Sequence, residues 1–176
     1  IAAHAQAIVK ESGVTRGYAL LLGDNAVALA TELARRTELR IHVAESDAAR
    51  AEAARNALSA ADLYGTKVEV NLLPAGQTNA LPFPPYFANL IVADARAVAQ
   101  GGLLRVLKPH GGVLLAATGT PDSAWAKAGE LTKPTLGGSG AWIKLVRGAL
   151  PGARDWTHQY ADAANTADAE KLAKLV

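Results

Sequence analysis

Cysteine and methionine are both absent from the 176 residues. Without cysteine there is no disulfide, no thiolate zinc site and no cysteine nucleophile, and the redox compartment cannot be read from cysteine usage. The lack of methionine even at position 1 reads as a processed or excised piece of a longer chain. Charged residues make up only 19% and the net charge is +2. No basic block or aromatic-interleaved basic stripe offers a nucleic-acid surface. No apolar run approaches the roughly 20 residues that span a bilayer, and no signal peptide is visible. The histidines (His4, His42, His110 and His158) show no metal-ligand spacing, so no metal site is expected. No Gly-x-Ser-x-Gly elbow follows a strand, which leaves a serine hydrolase without support. The glycine fingerprint of dinucleotide sites is missing as well.

Half of the chain is hydrophobic, and its length suits one domain with a sizeable core. The most informative stretch is Arg105-Val-Leu-Lys-Pro-His-Gly-Gly-Val-Leu-Leu-Ala116. Pro109 and the Gly111-Gly112 pair end a helix, and the apolar run from Val113 to Ala117 reads as a buried strand. The same grammar recurs along the chain. Helices are predicted over 2–12, with Gly13 as C-cap, and over 26–36, 48–60 and 97–107. Strands are predicted over 18–22, 39–44, 67–73, 89–93 and 112–118. Asp47 is placed to N-cap the Ala-rich third helix. Residues 74–88 read as a Pro-rich loop and 119–140 as mostly loop. Residues 141–146 read as a further strand, antiparallel and at an edge, and 148–176 as a linker with a short helix over 167–176.

Strand–helix alternation with short connections argues for a parallel, doubly wound sheet. Ligands of such sheets sit beyond the carboxyl ends of the strands, where the strand order reverses. The first such end is Leu22-Gly23-Asp24-Asn25-Ala26-Val27. Glycine there lets backbone approach a ligand, and the next helix offers free N–H groups. Glu45 ends the second strand about 20 residues after Gly23, where a carboxylate can accept both hydroxyl hydrogens of a ribose. The competing reading is that Glu45, like Asp47, only caps the following helix. Asp94 follows the fourth strand and is the candidate base or acceptor-orienting group, against the plainer reading of a loop carboxylate.

The 105–116 block resembles the turn before the fifth strand of class I S-adenosylmethionine-dependent methyltransferases. A second stretch, Gly76-Gln-Thr-Asn-Ala-Leu-Pro-Phe-Pro-Pro-Tyr-Phe-Ala-Asn-Leu-Ile-Val92, resembles that family's Gly-Asp-Ala, Leu-Pro-Phe signature. The resemblance covers roughly residues 14–118. It implies a Rossmann-like three-layer α/β/α domain over 1–147, with a mostly parallel doubly wound sheet and a shortened C-terminal strand region. It further implies a pocket for S-adenosylmethionine lined by Gly23, Asp24, Asn25, Glu45, Ser46, Gln77 and Thr78. The chain departs from the family pattern at several positions. Leu21 stands where an acid is usual, Asn25 and Val27 where two glycines are, Gln77 where an Asp meets adenine, and Asn89 where an Asp precedes the fourth strand. Asn25 can take a left-handed conformation, whereas Val27 resists one and adds bulk near the methionine moiety. The expectation is a degenerate pocket, with methyl transfer to an unknown acceptor if active.

The tail, Leu150-Pro-Gly-Ala-Arg-Asp-Trp-Thr-His-Gln-Tyr-Ala-Asp-Ala-Ala-Asn-Thr166, resembles the lead-in to the propeller of pyrroloquinoline-quinone-type repeat proteins. Some bacterial proteins join a methyltransferase-like domain to such a propeller. Such proteins are often exported, away from the cytosolic methyl donor. The alternative function is therefore a non-enzymatic interaction or scaffolding domain beside a propeller of the same longer chain.

Overall fold

A computed structural model describes residues 1–74, 81–94, 97, 102–137 and 140–152. The described elements run α1 (Ala2–Ser12), β1 (Arg16–Leu22), α2 (Ala26–Arg36), β2 (Glu38–Glu45), α3 (Ala48–Ala60), β3 (Val68–Leu72), β4 (Leu90–Ala93), α4 (Leu103–Val106), β5 (Val113–Ala116), α5 (Ser123–Ala128), β6 (Gly129–Thr132) and β7 (Ile143–Arg147). The strands form one sheet in the order β3-β2-β1-β4-β5-β7-β6. β1 to β5 are mutually parallel, and β7 runs antiparallel between β5 and β6.

Period-two alternation of the strands divides their side chains between two cores. Ala19, Leu21, Ile41, Val43, Leu90, Val92, Val113 and Leu115 pack with α1, α2 and α3 on one face. Leu20, Leu22, Ile91, Ala93, Leu114 and Ala116 pack on the other, with Leu103 and Val106 of α4, Trp125 of α5, Leu81 and Phe83. Strands covered on both faces need continuous apolar runs, which is why 18–22 and 113–116 carry no charge. The result is the expected three-layer α/β/α domain.

Cations from elsewhere in the chain cap helix carboxyl ends. Lys67 Nζ donates to Ala34 O at 2.9 Å and Thr37 O at 3.0 Å at the end of α2. Lys144 Nζ donates to Glu11 O near the end of α1. Each satisfies a carbonyl that has no partner within its helix, with the favoured sign of charge.

Three local expectations are corrected. Residues 119–140, expected to be mostly loop, also hold two short elements: Asp122 N-caps α5 through a 2.8 Å bond from Ala124 N, Trp125 is buried, and β6 follows. α5 leads directly into β6, which takes the edge, so β7 lies inside the sheet rather than at its edge. The helix expected over 97–107 does not run unbroken: Gly102 has φ 89, and α4 begins after it. Residue 148 is still tied to the domain, since its N–H donates to Ala128 O at 2.9 Å and its carbonyl accepts from His110 N at 3.0 Å. From residue 153 on, the linker expectation and the propeller-like stretch lie outside the described residues.

Candidate functional site

The sheet order reverses between β1 and β4, because β2 and β3 continue to one side and β5 to the other. The carboxyl ends of β1 and β4 are therefore the walls of the switch-point crevice. Gly23 leaves β1 there, and Asp94 leaves β4. Asp94 Oδ2 accepts from Asp24 N at 2.8 Å, and its Oδ1 accepts from Ala97 N at 3.0 Å. Both oxygens of the candidate base thus hold backbone, which makes Asp94 a clasp between the two strand ends. A Cβ on Gly23 would stand 2.0 Å from Asp94 Oδ2, and Gly23 has φ +120. Glycine is required here by the clasp, whether or not a ligand approaches.

The same device closes the other end of the β1/β4 pair. Asn89 Oδ1 accepts from Tyr18 N at 3.0 Å, and a Cβ on Gly17 would meet that oxygen at 2.3 Å. Asn89, which replaces an acid of the resembled family, is a structural acceptor at the start of β4.

Asn25 is not left-handed. Its φ of −101 and ψ of 10 start α2 directly, and its side chain makes no cap bond. Val27 then lies within α2, packed against the core, and is not among the described residues that line the adjacent cavity. The two missing glycines therefore impose no backbone strain. The 11-residue α2 has no side-chain cap from Asn25 and no acid in its first turn; the N–H of Ala26 donates to Gly23 O at 3.1 Å, and a helix start without a side-chain cap suits an anionic group.

Glu45 sits at the end of β2, with its side chain 17% exposed. Its Oε1 accepts from Ser46 N at 2.8 Å, from Asp47 N at 2.9 Å and from Arg50 Nη2 at 2.9 Å. Helix capping falls to Asp47, whose Oδ1 accepts from Arg50 N at 2.8 Å. Among the described residues, Glu45 Oε2 receives no hydrogen bond. Burial pushes the carboxyl up, but the bonds from Asp47 N–H, Arg50 and Ser46 N–H outweigh it and hold Glu45 below the ordinary value. A lowered folded pKa means that the ionised form favours the fold. That contribution is complete above the ordinary value of 4.5 and is lost as pH falls through the lower folded value. In urea unfolding, the advantage of the wild type over Glu45→Gln is expected to be flat from neutral pH down to about 4.5 and to shrink below it. A gap that widens on acidification would contradict this sign.

Arg50 was not singled out by the sequence, although an arginine in the first turn after a strand-end acid is the signal that marks it. Asp24 and Asp47 also act on its charge. Gln77 and Thr78 lie outside the described residues, so the adenine side of the expected pocket is not placed.

A cavity of about 650 Å³ opens beside the crevice, between α1, α2, the ends of β1 and β4, residues 135–137 and Trp142. It reaches Asn25 and Asp94 but not Glu45 or Ser46. His4 and Trp142 line it, 138 positions apart, and no local pattern could have joined them. Among the described residues no cluster of three or more metal-ligating side chains occurs, and no helix is long and apolar enough to cross a membrane.

No known protein family and no curated protein matches the chain in sequence. Solved structures do match in fold. A provisionally named S-adenosyl-L-methionine-dependent methyltransferase from Methanococcus maripaludis aligns with TM-score 0.67 and 18% identity over 85% of each chain. A predicted O-methyltransferase from Agrobacterium tumefaciens aligns with TM-score 0.53 and 18% identity, over 84% of this chain and 82% of its own. A methyltransferase dependent on the same donor, from Aquifex aeolicus, gives TM-score 0.53 at 14% identity, over 81% and 88%. Identities this low carry the architecture and no activity. The chain has the fold of the class I S-adenosylmethionine-dependent methyltransferases.

Proposed function

We propose that the chain binds S-adenosylmethionine across the carboxyl ends of β1 and β2 and transfers its methyl group to an acceptor. The observation that carries this reading is Glu45. Its carboxylate is held ionised and oriented by its own turn through Oε1, while Oε2 keeps its acceptor capacity for ribose hydroxyls. Two further features support it. The uncapped start of α2 suits the donor's carboxylate. Among the described residues, the acids Asp24, Asp94 and Glu45 at these strand ends outnumber the cation Arg50. That balance suits the cationic sulfonium and ammonium of this donor and disfavours the pyrophosphate of a dinucleotide.

Calorimetric titration of the chain with S-adenosylmethionine and S-adenosylhomocysteine tests the proposal. Micromolar binding is expected. Glu45→Ala should weaken it by about 10- to 100-fold, the worth of a charge-assisted hydrogen bond, without unfolding the domain. Absence of binding by the wild type at millimolar ligand would overturn the reading and leave a non-enzymatic domain of the same fold.

A further inference from the structure

The two faces of the sheet are covered differently over β1, β2 and β3. α2 and α3 pack on the Leu21 and Val43 face. On the other face lie Tyr18, Arg40, His42, Glu69 and Asn71. Among the described residues, the rings that pack on Tyr18 and His42 from above come from the loop before β4 and not from a helix. Phe87 lies 4.9 Å from Tyr18 and 5.0 Å from His42, and Phe83 stacks on Phe87 at 5.4 Å. This cover is incomplete. Tyr18, in contact with Phe87, and Tyr86, next to Phe87 in the chain, are each 45% exposed. A contiguous aromatic face open to water marks a place where another segment packs.

The charge around these rings is mainly positive. Arg40 shares a shallow groove with Tyr18 and His42. Arg147 Cζ lies 5.1 Å from the Tyr86 ring centre. Arg105 is exposed, and its carbonyl accepts from Tyr86 N at 3.0 Å. Against these stands Glu69, 3.7 Å from His42 Nδ1, while Glu38 is paired with Arg16 at 3.0 Å. A segment carrying both aromatic rings and negative charge complements such a face.

The same chain supplies one. Residues 153–176 lie outside the described residues, and only five residues, Gly148 to Gly152, separate them from Arg147 beside Tyr86. From Asp155 to Glu170 the sequence has four acids and no lysine or arginine, with Trp156 and Tyr160 between the first two acids. The nine residues from Arg147 to Trp156 can span about 30 Å. That is ample for the path from Tyr86 through Phe87 to Tyr18. We propose that residues 155–162 dock on this face, with the Trp156 ring against Tyr18 and Phe87 and the acids toward Arg40 and Arg105. Gly23 and Glu45 take no part, so the proposal does not rest on the adenosyl reading.

The test is nuclear magnetic resonance of the whole chain, with the Trp156 indole N–H identified by its loss in Trp156→Phe. Nuclear Overhauser contacts from the Trp156 ring to Tyr18 and Phe87 are expected. Amide exchange over residues 155–162 should be about tenfold slower than in a free peptide of the same sequence. Tyr18→Ser should remove that protection, and Arg40→Glu should reduce it, as should added salt. A Trp156 indole signal at the free-peptide position would overturn the proposal, as would Trp156 contacts that exclude Tyr18 and Phe87. So would protection that falls on dilution, since a second copy would then be the occupant. The wild-type contacts decide the matter even if a variant does not fold.

Discussion

Gly23→Ala is expected to cost about 4 kcal/mol of folding stability. A residue with a side chain held near φ +120 pays on the order of 1–3 kcal/mol in backbone strain. The added Cβ also enters the space of the Asp94 carboxylate, which would have to turn away. Turning breaks the bonds from Asp24 N and Ala97 N, at about 1 kcal/mol or more each. Urea unfolding measures the total. A double-mutant cycle with Asp94→Ala separates the parts: removing the carboxylate relieves the overlap but not the strain. The double variant should therefore be more stable than the sum of single effects by about 1–2 kcal/mol. A Gly23→Ala protein within 1 kcal/mol of the wild type would show that the clasp is not what the glycine serves. The outcome also bears on how this position is read in a doubly wound sheet. Glycine after β1 is ordinarily credited to a ligand, whereas here the neighbouring strand's carboxylate already fills the place.

That distinction was closed to sequence reasoning. Asp94 looks like a loop acid because its partner, Asp24 N, lies 70 positions away. The fold was far more legible. The helices over 26–36 and 48–60 have the expected bounds, because each combines an apolar stripe with a turn or cap at its ends: Asn25 and Thr37 for one, Asp47 for the other. The alternation of strands and helices was enough for the parallel half of the sheet. The C-terminal part was not legible because its signals are short. β6 has four residues, and α5 has six with a single buried aromatic, too few to show a period. Sheet neighbours are not local either, so nothing in residues 141–146 says that β6 would lie outside β7. The place of Glu45 at the end of β2 was legible, because the apolar run before it marks the strand. His4 and Trp142 were not, since only the packing of α1 against the last loops brings them together.

Arg147→Ala is expected to cost about 3 kcal/mol. The residue ends β7 and is only 9% exposed. No carboxylate partner accompanies it among the described residues. Its Nη1 donates to Leu104 O at 2.7 Å and also to Leu107 O, the free carbonyls at the end of α4. Its Cζ lies 5.1 Å from the Tyr86 ring centre. The negative end of a helix and an aromatic face thus balance a buried cation. Truncation to alanine leaves two carbonyls unpaired and a void beside Tyr86, and each unsatisfied buried group costs about 1–3 kcal/mol. In a domain of this size the loss should lower Tm by roughly 6–12 °C. Arg147→Lys should recover only part of it, because an ammonium keeps the charge but not the planar fork or the stacking. The damage should also reach the Pro109–Gly112 turn. Gly111 N donates to Arg147 O at 2.8 Å and Arg147 N to Gly112 O at 2.8 Å, so the backbone of this residue holds the turn while its side chain holds the helix before it. Amide exchange at Gly111 should accordingly quicken in Arg147→Ala. If its protection were kept while Tm fell, the side chain and the turn would be independent supports. A Tm within 2 °C of the wild type would mean that water replaces the guanidinium at α4 without loss.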